Sequence, residues 1–416
     1  MIKIYVCGPT VYNSIHIGNI RPIVTIDLML KAARWLNIDF KFIHNITDID
    51  DKIILEAKKQ NIPEEQLSKK YADEYIEILQ LLNVDTITNL EYVTKNLDVI
   101  KSFIKKLIDL KKAYKDKENN VWFDIQTSLK EYGKISNRKL DEMIFEEENS
   151  KLKKHPADFA LWKNTNIGIK FDSEFGMGRP GWHTECVALI NKVFKGETID
   201  FHGGGIDLTF PHHENENIQH YAVNGKSLTK KWIRTGQINL NNIKMSKSLG
   251  NVILAKNFLS NEHYADYYKL FILNSKFSSP INFNDEFMNN ITKIYKKYKK
   301  AYFKISTFFY KKNNLKINKN IVNKTLNELF NDIYSLNFSD FNYKFNEIIK
   351  NINKEENIDN YEIFKTITKV FHFDFTNDLY LNKYLDIFDK WAYFIDKKEY
   401  SEADKLRQEL IENDLI

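Results

Sequence analysis

Apolar residues recur with two different periods in the front part of the chain, one of strands and one of helices, and the glycines and prolines that punctuate it are missing from the rear. Ile2, Ile4 and Val6 alternate with polar neighbours, which predicts a strand over residues 2–7. From 22 to 36, Ile23, Ile26, Leu30 and Ala33 share one helical face, and Pro22 suits the first turn, where its missing amide hydrogen costs nothing. Ile38, Phe40 and Phe42 alternate again over 38–43. Strand, helix and strand predict a parallel βαβ unit. Its loop from Gly8 to Arg21 leaves the carboxyl end of the first strand, where such sheets bind ligands, and a nucleotide is the expected one. Between about Lys115 and Gly178 the spacing loses regularity, which reads as an insertion splitting the nucleotide fold. The second half resumes with a helix after Trp182, a strand from Glu197 to His202 and the loop Gly203-Gly204-Gly205. Every glycine lies at or before Gly250 and every proline at or before Pro280, so the rest of the chain is expected to be helical. Near its end Ser401 and Asp404 have the spacing of a capping box.

A chain of 416 residues is too long for one core, and two to four domains are expected. With 43% hydrophobic and 14% aromatic residues it is no disordered polyelectrolyte. The net charge of +5 says little about partners, but its distribution says more. From Ile291 to Asn320 there are ten lysines and no acid, interleaved with Tyr295, Tyr298, Tyr302, Phe303, Phe308, Phe309 and Tyr310. That stretch reads either as the solvated face of an amphipathic helix or as a phosphate-facing surface. Met1 to Thr10 lack the apolar core of a signal peptide, and nowhere do eighteen apolar residues run together. A cytoplasmic protein without membrane contact is expected. Cys7 and Cys186 are the only cysteines, too few for a disulfide framework.

Three groups of residues carry chemistry. His16-Ile17-Gly18-Asn19 falls in the loop after the first strand, where a small residue lets a purine approach the backbone and an imidazole can donate to phosphate. Lys244-Met245-Ser246-Lys247-Ser248, followed by Leu249-Gly250, can fold over a triphosphate and neutralise the charge that develops as pyrophosphate leaves. Third, Cys7 ends the first strand, Cys186 follows Gly181-Trp182-His183-Thr184-Glu185, and Pro211-His212-His213-Glu214-Asn215-Glu216 opens a helix. Two thiolates, an imidazole and a carboxylate make a zinc-type shell. His212 and Glu216 share a helical face, but His220 continues the same stripe and His213 adjoins it, so spacing leaves the histidine open.

The first two groups together resemble the HIGH and KMSKS signatures of class I aminoacyl-tRNA synthetases, with Asn19 in place of the final histidine. Tyr5-Val6-Cys7-Gly8-Pro9-Thr10, Asn45-Ile46-Thr47-Asp48-Ile49-Asp50-Asp51-Lys52, Gly178-Arg179-Pro180-Gly181-Trp182-His183, His202-Gly203-Gly204-Gly205 with Asp207, and Phe210 to Glu216 resemble the cysteinyl-tRNA synthetase family. The resemblance implies an α/β fold: a split Rossmann-type catalytic domain with an insertion, followed by an all-α region. It implies one zinc held by Cys7, Cys186, His212 and Glu216, and magnesium with ATP. His16, Lys244 and Lys247 would be catalytic, with Gly18, Asn19 and Lys247 on ATP. Thr47, Trp182, His202 and Asp207 would line the cysteine pocket, and Tyr400 would stack on an anticodon base. Partners would be ATP, L-cysteine and cysteine tRNA, acylated on the 2'-hydroxyl by a monomer.

The expected division is 1–115 and 179–236 for the catalytic halves, 116–178 for the insertion, 237–290 for the lysine loop and stem-contacting region, and 291–416 for the helical anticodon-binding region. The chain starts at its first strand, without the leading segment usual in the family, and stops soon after Leu410, so a shortened anticodon module is expected. Because zinc separates a thiol from a hydroxyl better than shape does, no editing domain is expected. Two other activities compete. A cysteine:amino-sugar ligase would use the same adenylate, but has no need of the long helical tail. Gly176-Met177-Gly178-Arg179-Pro180-Gly181, with Asp200 beyond it, fits a dinucleotide fingerprint. Phe171 to Phe175 is a poor strand to precede it, and Pro180 lacks the amide hydrogen that its turn should supply, so this reading is rejected.

Overall fold

The computed structural model describes residues 1–145, 150–311 and 316–416, apart from the side chains of Ser150 and Ser248. β1 (Ile2–Val6), α1 (Arg21–Trp35) and β2 (Phe40–Ile46) form the expected parallel unit, with Ile2 opposite Phe40. After α2 (Asp51–Gln60) and α3 (Glu64–Leu81), β3 (Asn89–Tyr92) joins the far edge of β2, and α4 (Leu97–Asp109) follows. β4 (Ala113–Lys115), β5 (Val121–Phe123), β6 (Phe159–Asn164) and β7 (Gly178–Pro180) then make a separate antiparallel sheet. This sheet occupies the stretch read as an insertion, with β4 lying just before the expected start at 116 and β7 crossing the expected end at 178. α5 (Glu185–Phe194), β8 (Ile199–Gly205), α6 (His212–Asn224) and β9 (Thr229–Thr235) return to the first sheet.

That sheet has the order β3-β2-β1-β8-β9, all parallel. Strand order therefore reverses at β1, and the loop after Val6 leaves the sheet at the switch point, where open α/β sheets hold ligands. Alternation of side chains sends Ile4 and Val6 into the core on one face and Tyr5 into the core on the other. The first core takes in α1 and the helical region; the second takes in α4, α5 and the insertion.

Next come β10 (Ile238–Leu240), β11 (Ile243–Lys244), α7 (Ala255–Leu259), α8 (Tyr264–Leu273) and β12 (Ile281–Phe283), with the three strands in the order β11-β10-β12. The remainder is helical as expected: α9 (Asp285–Lys311), α10 (Lys319–Tyr334), α11 (Phe338–Lys354), α12 (Ile358–Val370), α13 (Asp378–Asp396) and α14 (Tyr400–Glu412). Tyr295, Tyr298, Tyr302 and Phe303 are buried, so these rings of the lysine-rich stretch form the inner face of an amphipathic helix. Lys312 of that stretch lies outside the described residues. Ser401 is no cap: α14 begins at Tyr400, Glu399 holds the cap position, and no side chain caps it. Tyr400 is exposed. The rejected dinucleotide fingerprint contains a strand, β7, rather than the mouth of a helix; α5 opens only at Glu185. No helix among the described residues is long and apolar enough to cross a membrane.

Candidate active site and metal centre

Three regular elements deliver four donors to one point. Cys7 directly follows β1 and is tied to β8 by its amide, which donates to Gly203 O. Cys186 lies in the first turn of α5, and His212 and Glu216 lie on successive turns of α6. One donor atom from each of the four lies within 4.8 Å of all the others. Cys7 Sγ is 3.5 Å from His212 Nε2 and 3.4 Å from Glu216 Oε1, and Cys186 Sγ is 3.8 Å from His212 Nε2. Bonds of about 2.0–2.3 Å to a tetrahedral ion separate its donors by about 3.3–3.8 Å, so the sulfur–nitrogen spacings suit a metal. His212 Nε2 and Glu216 Oε1 stand closer, at 2.6 Å.

The electrostatics of the cluster point the same way. Glu216 is fully buried, and although His202 Nε2 lies 2.6 Å from its Oε2, neither atom has an aligned hydrogen bond. Burial alone would neutralise this carboxyl, but His202 and His212 hold it well below the usual range. The neighbouring Cys7 leads the effects that bring Cys186 down to about 6, whereas burial and Cys186 push Cys7 up. Burial opposes a charge on His212, yet Glu216 and Cys186 raise it to about 10. A thiolate and a carboxylate buried around one imidazole are groups that a cation would satisfy, taking the place of the proton on His212.

The other histidines separate by partner. His213 Nε2 lies 3.9 Å from Cys7 Sγ, close enough to form with Cys7 and His202 an alternative group of three donors. His220 is turned away, accepting at Nδ1 from Asn191 and Asn224. Sequence reasoning passed over His183, whose Nδ1 lies 3.2 Å from His212 Nδ1, the ring nitrogen facing away from the cluster. Trp182 covers the same ring, with centroids 4.5 Å apart.

Opposite this cluster stands the loop after β1. Gly8 must be glycine, because a Cβ there would sit 1.6 Å from Asn45 O. Gly18 N donates to His16 Nδ1 at 3.1 Å, which leaves the proton of the neutral ring on Nε2, free to donate to an anion. The ring is neutral because burial, then Lys247 and Lys244, lower its pKa to about 4. Asn19 Oδ1 accepts from His16 N, bracing the turn. Lys247 places its ammonium 4.4 Å from the Tyr12 ring centroid, while Asn251 closes the lysine loop by accepting from Ser246 N and donating to Lys244 O.

A cleft of about 450 Å³ unites the two sides. His16, Asn19 and Lys247 line it on the side of the two motifs, Cys7, Cys186, His212, Thr47 and Trp182 line it around the donor cluster, and Asp207, whose charge acts on His16, also lines it. Four expected residues stand apart from this lining, one of them Glu216, which is fully buried behind it. Gly18 lies behind the His16 ring, Lys244 is exposed on β11, and His202 is sealed beneath the cluster against Glu216. Thr47 Oγ1 donates to Glu185 Oε2 at 2.8 Å, and burial followed by the neighbouring Cys186 raises Glu185 well above the usual carboxyl range. Glu185 carried no signal in the sequence beyond its place next to Cys186. Tyr12 carried none at all, since its role depends on Lys247, remote in the chain.

Residues 1–293 match the family described as tRNA synthetases class I (C) catalytic domain. A protein of Malacoplasma penetrans named cysteine–tRNA ligase is 42% identical over 429 residues, covering 100% of this chain and 95% of that one. One of the same name from Mycoplasma mycoides is 41% identical, covering 100% and 96%. Among solved structures, methionyl-tRNA synthetase of Mycobacterium tuberculosis bound by methionyl-adenylate superposes with a TM-score of 0.61 at 12% identity, over 89% of each chain. The ternary LeuRS–tRNA–LeuAMS complex from Agrobacterium radiobacter gives 0.68 at 8% identity, over 91% of this chain and 84% of that one. The last two share the fold; the first two share the sequence from end to end, and by them the chain belongs to the cysteine–tRNA ligase family of class I synthetases.

Proposed function

We propose that the protein activates L-cysteine with ATP, forming cysteinyl adenylate and pyrophosphate, and then transfers the cysteinyl group to the terminal ribose of cysteine tRNA. The observation that carries this is the single cleft in which a thiol-seeking donor cluster faces His16 and Lys247. Cys7, Cys186, His212 and Glu216 would hold zinc, which supplies a soft cation that prefers the substrate's thiolate to a serine hydroxyl. Thr47, Trp182 and Asp207 would hold the amino acid, with Glu185 orienting Thr47. The carboxylate of cysteine attacks the α-phosphorus of ATP in line. His16 donates from Nε2 and Lys247 meets the charge that develops on the departing pyrophosphate, to which magnesium bound to ATP would add positive charge. No protein nucleophile is needed. Transfer then joins the acyl carbon to the ribose 2'-oxygen and releases AMP.

ATP–pyrophosphate exchange dependent on cysteine, followed by charging of cysteine tRNA, tests the reading. The expected result is exchange with cysteine and acylation of the tRNA. Exchange without charging, or no exchange with cysteine, overturns it.

A further inference from the structure

Arg21 is the first residue of α1, two positions beyond Asn19, and it is completely buried. A guanidinium there is badly placed for the helix itself, because the positive end of the helix dipole lies beside it. Burial drags its pKa down to about 10, which still leaves it charged at neutral pH. No acidic side chain among the described residues pairs with it. It grips main-chain carbonyls instead: Nη1 donates to Gly236 O at 2.7 Å, Ser279 O at 2.9 Å and Gln237 O at 3.3 Å, and Nη2 donates to Lys276 O at 3.1 Å.

Those carbonyls belong to two chain crossings. Gly236 and Gln237 join β9, the last strand of the nucleotide sheet, to β10, the first strand of the sheet that carries the lysine loop. Lys276 to Ser279 bring the chain back from α8 to β12 of that same small sheet. The crossings touch: Gly236 N donates to Phe277 O, Ile281 N donates to Gln237 O, and a Cβ on Gly236 would lie 2.2 Å from Ser279 O. Arg21 is thus bolted to both attachments of the lysine-loop sheet, while its own backbone continues the loop that bears His16. The far end of the lysine loop is fastened to the same place. Ile17 N donates to Ile253 O, Ala255 N donates to Ile15 O, and Tyr268 Oη donates to Ile17 O.

We propose that Arg21 is a positioning residue for adenylation: by gripping both crossings, it sets the separation between Lys247 and His16. This rests on the adenylation reading above. Loss of the grip would leave the metal cluster in place, because Cys7 directly follows β1 and is tied to β8, and Cys186, His212 and Glu216 sit on α5 and α6, none of which Arg21 holds.

The test uses the full-length, metal-loaded protein with Arg21→Met, Arg21→Lys and Gly236→Ala, measuring single-turnover adenylate formation across ATP concentrations, the cysteine Kd and metal content. Arg21→Met is expected to slow adenylate formation about 100-fold, as an ångström-scale misplacement does, with cysteine Kd and metal content little changed. Arg21→Lys, which keeps the charge but not the planar fork, recovers part of the rate. Gly236→Ala, which leaves Arg21 intact and spreads the crossings, reproduces the selective loss. Should Arg21→Met fail to fold, the other two decide. Wild-type rates in Arg21→Lys and Gly236→Ala, or adenylate formation and cysteine binding falling in equal proportion, overturn the proposal. Absence of cysteine-dependent adenylate in the wild-type protein would instead refute the proposed function.

Discussion

Cys186, His212 and Glu216 project from the first turn of α5 and the first two turns of α6 and are at most 3% exposed, whereas Lys247 follows a two-residue strand on a short turn and Lys244 is exposed. One wall of the cleft is therefore held by regular elements whose cores are packed on both sides of a parallel sheet. The other is held by backbone fastenings at its ends, Arg21 and Asn251 among them. A site that must tell sulfur from oxygen needs donors fixed to a fraction of an ångström, and helices packed on a sheet supply that. A site that must neutralise a leaving polyphosphate needs charge more than exact placement, and a loop suffices once its attachments are fixed.

Breaking the buried wall is expected to have the largest effect. His212→Ala removes one donor and one of the two imidazoles that hold Glu216 ionised in the interior, at a cost of up to about 3–5 kcal/mol. Metal content and cysteine-dependent exchange should fall together; retention of both, measured by elemental analysis and exchange assay, would contradict the assignment. On the lysine wall, Lys247→Ala is expected to slow adenylate formation about 10²–10³-fold while the cysteine Kd holds, and equal losses in single-turnover work would count against its role.

Acid sharpens the comparison further. His44 lies on the buried side, its Nδ1 bonded to Val6 O and its Nε2 to Tyr75 Oη, and burial lowers its pKa from 6.5 to about 4. Because the folded pKa is depressed, the unfolded chain binds the extra proton first, and stability is present above pH 6.5 and lost as pH falls toward 4. The His44 share of the loss is about 3 kcal/mol, so a pH series of urea unfolding should show an acid loss smaller by about that amount in His44→Gln than in the wild-type protein. His16 reaches about the same pKa by a different route, since Lys247 and Lys244 add to burial. The smallest effect follows: added salt should raise the His16 pKa by a few tenths through screening and leave His44 unmoved. Parallel shifts of both imidazole resonances in an NMR titration would remove the distinction.

Legibility from sequence followed the same line. β1, α1 and β2 were readable because their apolar periods are long enough to count, and α6 was readable because Pro211 precedes a run whose His212 and Glu216 share a face. The inserted sheet read only as irregularity, since three-residue strands such as Ala113–Lys115 and Val121–Phe123 carry no period. Spacing could not choose among the histidines; ring direction sends His220 to two asparagines and brings both His212 and His213 to Cys7, with His212 alone of the two also reaching Cys186 among the described contacts. Glu185, Tyr12 and Arg21 were invisible because their partners lie far along the chain. Ser401 shows the converse failure, a capping pattern that the helix start at Tyr400 leaves unused.

The central claim is that the four-donor cluster, and not the shape of the pocket, selects the amino acid. Its most direct test is pyrophosphate exchange with cysteine and with serine, before and after metal removal by a chelator, with zinc added back. The account predicts that metal removal collapses the preference for cysteine and that zinc restores it. A metal-free protein that still prefers cysteine over serine by the same factor would contradict it.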